Sequence, residues 1–142
     1  MKKILVITAS LFGVLPVSLA IACSCLPRTP EQTFASSQSV FAGQAIEITQ
    51  LRQEEKVRVI FKVSRVWKGR RSPRLVVTTS GSSASCGYSF EQGKEYLVYA
   101  SAEPRLTTGL CSGTKPLSMA QADLAYLEQQ QQPRRRTAAK ER

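Results

Sequence analysis

The 142-residue sequence carries 20 Lys or Arg against 10 Asp or Glu, a formal net charge of +10, four cysteines and no histidine. Without histidine, Ser-His and Cys-His catalysis and the commonest zinc ligand are excluded. The length suits one domain with one modest core.

In chain order, Met1-Lys2-Lys3, the apolar run Ile4 to Leu19 and the exit Ala20-Ile21-Ala22 predict a secretory signal over 1–22, cleaved after Ala22. The run is too short for a membrane span and is interrupted by Pro16. A lipoprotein signal also ends at a cysteine and would attach lipid to the Cys23 sulfur. It would leave an odd thiol among the other three cysteines, and Ala20 stands where such signals carry leucine. Membrane contact is therefore expected only if Cys23 is lipidated, and the expected location is secreted, periplasmic or extracellular. The signal is short in the bacterial manner. Cleavage lowers the charge to +8, half of it in the last ten residues.

Cys23-Ser24-Cys25 follows directly. Cysteines one residue apart cannot easily bond to each other, since a disulfide needs alpha carbons about 5.5 Å apart and suitably aimed side chains. Their partners are then Cys86 and Cys111, in a pairing that spacing leaves open. Thr29-Pro30-Glu31-Gln32 predicts a capped helix start ending near Ser37, with Phe34 turned to the core. Ser39 to Gln50 reads as a strand with a bulge or bend at Gly43. Lys56 to Trp67 alternates apolar Val57, Val59, Phe61 and Val63 with Arg58, Lys62 and Ser64, the period of a half-buried strand. Strands are also predicted at Leu75 to Thr79, Glu95 to Ser101 and Leu106 to Thr108. Ser118 with Gln121 predicts a second capping box, followed by the helical stripe Ala120, Leu124 and Leu127. Residues 129–142, Gln-rich and then Arg-rich, are expected to form a disordered basic tail beyond a domain spanning 23–128. About five short antiparallel strands with a helix near each end fit a small barrel better than an immunoglobulin-type sandwich.

Three motifs carry a resemblance. They are Cys23-Ser24-Cys25-Leu26-Pro27 at the new N-terminus, Cys86-Gly87-Tyr88 before a later strand, and Cys111-Ser112 followed by Leu117-Ser118-Met119-Ala120-Gln121. In this order and spacing the chain resembles the N-terminal, netrin-like domain of the tissue inhibitors of metalloproteinases, as a bacterial single-domain homologue. The resemblance implies a mainly β, OB-fold-like five-stranded barrel with flanking short helices, and the bridges Cys23–Cys86 and Cys25–Cys111. The chain departs from the animal pattern in having four cysteines instead of six, and a basic tail where the second domain would stand.

The resemblance also implies a mechanism. The alpha-amine and carbonyl of Cys23 would chelate the catalytic zinc of a metalloprotease. Ser24 would enter the specificity pocket, and Cys25, Leu26, Pro27, Ala84, Ser85 and Cys86 would line the contact. Such zinc sites keep a position open for water, and an alpha-amine of pKa about 7.7–8.0 can deprotonate to fill it. The chain is then an inhibitor and not an enzyme, a monomer with no cofactor or metal of its own. The alternative is a netrin-like extracellular interaction module without protease inhibition. Metal binding by a reduced Cys-Ser-Cys is disfavoured by export. Arg58, Lys62 and Lys68 read as a solvated strand face and not as a nucleic-acid site. Trp67, Tyr88, Tyr96 and Tyr99 read as packing, not as a ligand platform.

Overall fold

A computed structural model describes residues 23–101 and 105–140, with 133–140 as backbone alone. The expected signal segment, 1–22, lies outside the described residues. The elements are α1 (Pro30–Ser36), β1 (Ser39–Leu51), β2 (Lys56–Lys68), β3 (Arg74–Ser80), β4 (Glu95–Ala100), β5 (Leu106–Thr107), β6 (Lys115–Pro116) and α2 (Gln121–Lys140).

One mixed sheet runs in the order β5-β3-β2-β1-β4-β6. Its long central pairings are antiparallel, while β5 lies parallel to β3. An antiparallel bridge between Ser101, just after β4, and Thr107 of β5 joins the two sides of the sheet. Reciprocal bonds of 2.8 Å connect the amide of each to the carbonyl of the other. The sheet thereby curls into an OB-fold-like barrel with little open edge. The sixth strand, β6, adds two residues on the outer side of β4.

The curl has a local cause. Against β1, Ser64 and Trp67 of β2 are extra residues, and the register shifts between Ala42 and Gly43 and between Val40 and Phe41. Each bulge bends and twists the ribbon. A Cβ at Gly43 would lie 2.8 Å from the Lys62 carbonyl oxygen, so glycine lets the strands approach at the bend.

Two apolar layers form on opposite faces of the sheet. Inside the barrel, Phe41, Val59, Phe61, Val77, Tyr96 and Val98 are buried, with the Phe61 ring edge-on to Phe41, Phe90 and Tyr96. The alternation along β2 holds here: Val59 and Phe61 point inward while Lys62 is exposed. On the other face Val40, Ala42, Leu97 and Tyr99 are covered by the two helices through Ala120, Leu127, Phe34 and Leu124. β4 is buried on both faces, which explains its unbroken apolar run Tyr96–Ala100.

α1 carries the expected capping box: the Thr29 hydroxyl accepts from the Gln32 amide, and the Gln32 side chain accepts from the Thr29 amide. The second box does not form. A 3-10 turn, Leu117–Met119, precedes α2, the Ala120 carbonyl accepts the first helical bond from Leu124, and the Gln121 side chain donates back to the Ser118 carbonyl. The stripe Ala120, Leu124 and Leu127 faces the sheet as expected.

α2 continues past Glu128, so the boundary expected at 128/129 falls inside a helix. The Arg65 guanidinium grips the Glu128 carboxylate with two bonds, and its Nη2 donates to Gln131 Oε1 at 2.8 Å. The Gln131 side chain in turn donates to the Val66 carbonyl at 3.4 Å. Ending the chain after Gln132 is therefore expected to leave the melting temperature within about 1 °C of the full chain. Ending it after Glu128 removes a partly exposed hydrogen-bond set of about 0.5 kcal/mol, or about 2–3 °C. Thermal melts of the two truncations check this, and equal melting points would show that Gln131 contributes nothing.

Candidate functional site

The chain enters the fold at the candidate edge. Cys23 is bonded to Cys86 and Cys25 to Cys111, with alpha carbons 5.6 and 5.2 Å apart. These are the two pairs that the resemblance implies. The bridges span 63 and 86 residues, so the extended segment 23–27 is fastened to two distant parts of the barrel. Its outer side chains remain open: Ser24, Leu26 and Pro27 are exposed, Leu26 at 86%.

The loop opposite is built to hold Cys86. Ser83–Ser85 form a 3-10 turn capped by the Ser82 hydroxyl, which accepts from the Ser85 amide. The Cys86 amide donates to Ser83 O at 3.1 Å, and the Gly87 amide to Ser82 O at 3.0 Å. Cys86 takes φ +61°, a left-handed conformation that costs a non-glycine residue about 1–2 kcal/mol. The Cys23 sulfur lies 3.3 Å from the Ser83 carbonyl oxygen. This is van der Waals contact, because a disulfide sulfur has no hydrogen to donate. Ala84 and Ser85 are exposed beside it. The structure thus brings Cys23 against Ser83, Ala84 and Cys86, with Ser24, Cys25, Leu26 and Pro27 following on the same bridged segment and Ser85 next to Cys86 in the loop.

A third segment completes the rim. The Leu110 amide donates to the Cys86 carbonyl at 2.8 Å, so the turn carrying Cys111 leans on the loop carrying Cys86. The turn is anchored below by hydroxyls: Thr108 Oγ1 and Thr114 Oγ1 lie 2.7 Å apart, and both contact the Tyr99 backbone. Leu110, 47% exposed, and a cavity of about 350 Å³ lined by Cys25, Leu26, Arg28, Leu110 and Lys115 were not legible beforehand, since no motif marks them.

At the floor of this region Tyr99 Oη donates to Asp123 Oδ1 at 2.9 Å, and Lys115 Nζ donates to Asp123 Oδ2 at 2.7 Å. Burial first, then the neighbouring Asp123 carboxylate, pushes the Tyr99 phenol up. Burial and Tyr96 raise the Tyr88 phenol to about 12. Both groups are harder to ionise folded than unfolded, so their stabilisation is intact below the unfolded phenol pKa of about 10 and falls as pH rises above it. The urea midpoint is expected to drop between about pH 9.5 and 11.5, and Tyr99→Phe should flatten part of that drop. A wild-type drop matched in full by the variant would remove Tyr99 from the account.

Among the described residues no helix is long and apolar enough to cross a membrane. Two disulfides with no free cysteine suit an oxidising compartment.

Comparison with known proteins agrees with this geometry. The chain is 31% identical over 103 residues to metalloproteinase inhibitor 2 of Cavia porcellus, covering 66% of this chain and 46% of that protein. It is 30% identical over 94 residues to metalloproteinase inhibitor 2 of Homo sapiens, covering 59% and 43%. It is also 34% identical over 88 residues to an NTR domain-containing protein of Margaritifera margaritifera, covering 58% and 60%. The chain spans about half the length of the curated relatives it matches. Residues 21–131 match the family model described as tissue inhibitor of metalloproteinase, a family of inhibitors and not of enzymes. With both bridges and the curled sheet in place, the chain belongs to the tissue inhibitor of metalloproteinase family.

Proposed function

We propose that this chain inhibits zinc metalloendopeptidases by presenting the alpha-amine of Cys23 to the protease's catalytic zinc. The reading rests on one observation above the others: the two bridges fasten Cys23 on an open rim beside the Ser83–Cys86 loop. Cleavage after Ala22 would free the amine. At pH 7 its deprotonation costs only about 1 kcal/mol, given a pKa about one unit higher. The bridges reduce the ordering cost of binding, since the segment is held before a partner arrives. Ser24 would enter the pocket beside the zinc, with Leu26 and Pro27 on one flank and Ala84 and Ser85 on the other. The chain would be secreted and would act as a monomer.

A second reading has one observation in its favour. The similarity to an NTR domain-containing protein fits an extracellular interaction module that uses another surface. The deciding experiment is an inhibition assay with protein beginning at Cys23, run against a panel of zinc endopeptidases. Stoichiometric, active-site-directed inhibition of at least one member is expected. Folded, oxidised protein that inhibits none would favour the module.

A further inference from the structure

Three stretches distant in sequence meet at the cavity of about 350 Å³: the segment from Cys25 to the start of α1, the stretch from Leu110 to β6, and the first turn of α2. That size lies at the lower end of the about 300–1,000 Å³ usual for small-molecule sites. The bridge Cys25–Cys111 ties the first stretch to the second, and the ion pair of Lys115 with Asp123 ties the second to the third. The walls are therefore fixed by covalent and ionic links before any ligand arrives, which lowers the ordering cost of binding.

The lining has two characters. Leu26, Pro30, Leu110 and Ala122 supply an apolar wall, and Leu26 and Leu110 are two of the four large hydrophobic side chains left exposed among the described residues. The charged side chains are Arg28, Lys115 and Asp123. The negative charge is turned inward: Asp123 is 5% exposed, and its two oxygens accept from Tyr99 Oη at 2.9 Å and Lys115 Nζ at 2.7 Å. Arg28 is exposed, donates through Nη1 to Ser36 Oγ at 3.2 Å, and makes no ion pair with any carboxylate among the described residues. The cavity thus sets one cation without counter-charge beside an apolar wall.

We propose that this cavity binds a carboxylate carried on a short apolar body, the chemistry shared by a peptide's C-terminal apolar residue and a free apolar acid. A guanidinium meets a carboxylate with two parallel bonds, which sets the Arg28 fork as the recognition group. Lys115 Nζ has donors beyond the one given to Asp123 and can reinforce it. The apolar body would displace water from Leu26, Leu110 and Ala122. Inorganic phosphate would leave that wall unmatched. A cationic ligand would meet Arg28 and Lys115, with the Asp123 carboxylate already engaged twice. Neither Cys23, Ser24 nor the Ser83–Ser85 turn lines the cavity, so the site does not depend on the inhibitor reading.

The test titrates the isotope-labelled full chain, both disulfides formed, with acetyl-Gly-Leu, with its C-terminal amide and with isocaproate, and follows the backbone amide signals by NMR. At least one of the two carboxylates should bind with a Kd on the order of 1 mM, moving the signals of Leu110, Gly113 and Ala122 together. The amide should bind at least about 10-fold more weakly. Tighter binding of the peptide acid assigns the site to chain termini, and tighter binding of isocaproate assigns it to free acids. Arg28→Gln should lose at least about 5-fold and Ala122→Leu, which fills the cavity from an exposed helix position, about 10-fold. Lys62→Gln makes the charge change of Arg28→Gln on a residue that does not line the cavity and should lose less than about 2-fold. Equal binding of acid and amide would overturn the proposal, as would equal losses in Arg28→Gln and Lys62→Gln. So would displacement by inorganic phosphate at equal concentration, or no binding of either carboxylate at about 10 mM. The acid–amide comparison is made on the unsubstituted chain, so it decides even where a variant folds poorly.

Discussion

Gly87→Ala is expected to destabilise the protein by about 3 kcal/mol or more, lowering the melting temperature by about 10 °C. A Cβ at this position would fall 2.0 Å from the Ser80 carbonyl oxygen and 2.9 Å from that of Ser82. Neither obstacle is a flexible side chain. Ser80 ends β3, and Ser82 accepts the Gly87 amide itself at 3.0 Å. Relief therefore requires the loop to move as a unit. That strains the bond from the Tyr88 amide to Thr79 Oγ1 at 2.8 Å and the bond from Leu110 to the Cys86 carbonyl. The opposing effect, fewer unfolded conformations for alanine, is worth at most about 1 kcal/mol and cannot offset the clash. Because Cys86 carries the bridge to Cys23, any inhibition should weaken in the same variant. Calorimetry decides the matter: a fall of less than about 3 °C would mean that the loop yields easily and that the rim is not held by Gly87.

The parts of this fold legible beforehand are those in which a side-chain pattern and its physical cause coincide. The Thr29–Gln32 box satisfies orphan helix donors with its own side chains, so it can be read without knowing the rest of the chain. The alternation in β2 survives because one face is inside the barrel. Gly43 marks a bend because β2 passes too close for a side chain. Ser118 with Gln121 shows the limit of that logic. The motif is present, but a 3-10 turn occupies the place of the cap, and Gln121 satisfies a carbonyl instead of an amide.

Other features could not be seen in local sequence. β6 is two residues long, too short for any period, and exists because the sheet brings β4 beside it, whereas β5 falls within the strand expected at Leu106 to Thr108. The Gln-rich stretch after Glu128 reads as low complexity, yet glutamine is a good helix former, and Arg65, distant in sequence, gives Gln131 a reason to remain in register. At the rim, Cys23, Cys25, Cys86 and Cys111 were apparent as residues. Leu110 joined them only through the turn that the Thr108 and Thr114 hydroxyls hold against β4. The Tyr99–Asp123–Lys115 set likewise links three elements and has no sequence spacing to announce it.

Retaining a single residue, Ala22, ahead of Cys23 is expected to reduce inhibition of a sensitive zinc endopeptidase at least about 100-fold, a loss of about 2.7 kcal/mol. The alpha-amine of Cys23 would become an amide, whose nitrogen lone pair is delocalised into the carbonyl and unavailable to zinc. The extra residue would also project from the rim toward the metal, where an open zinc site has room for one small ligand. Nothing in the fold should change with it. Cys23–Cys86 and Cys25–Cys111 bond through side chains, and the Cys23 amide makes no hydrogen bond that the extension would break among those described. Ser24→Gly is the companion variant, with a smaller expected loss of about 10-fold, because it empties a side-chain pocket while leaving the chelating amine in place. The measurement is the inhibition constant of three proteins, the chain beginning at Cys23, the Ala22-extended chain and Ser24→Gly, each shown by mass to carry two disulfides. Equal inhibition by the exact and extended chains would remove the amine from the zinc and transfer the activity to another surface. A Ser24→Gly loss larger than that of the extension would place the dominant contact in the pocket instead of at the metal.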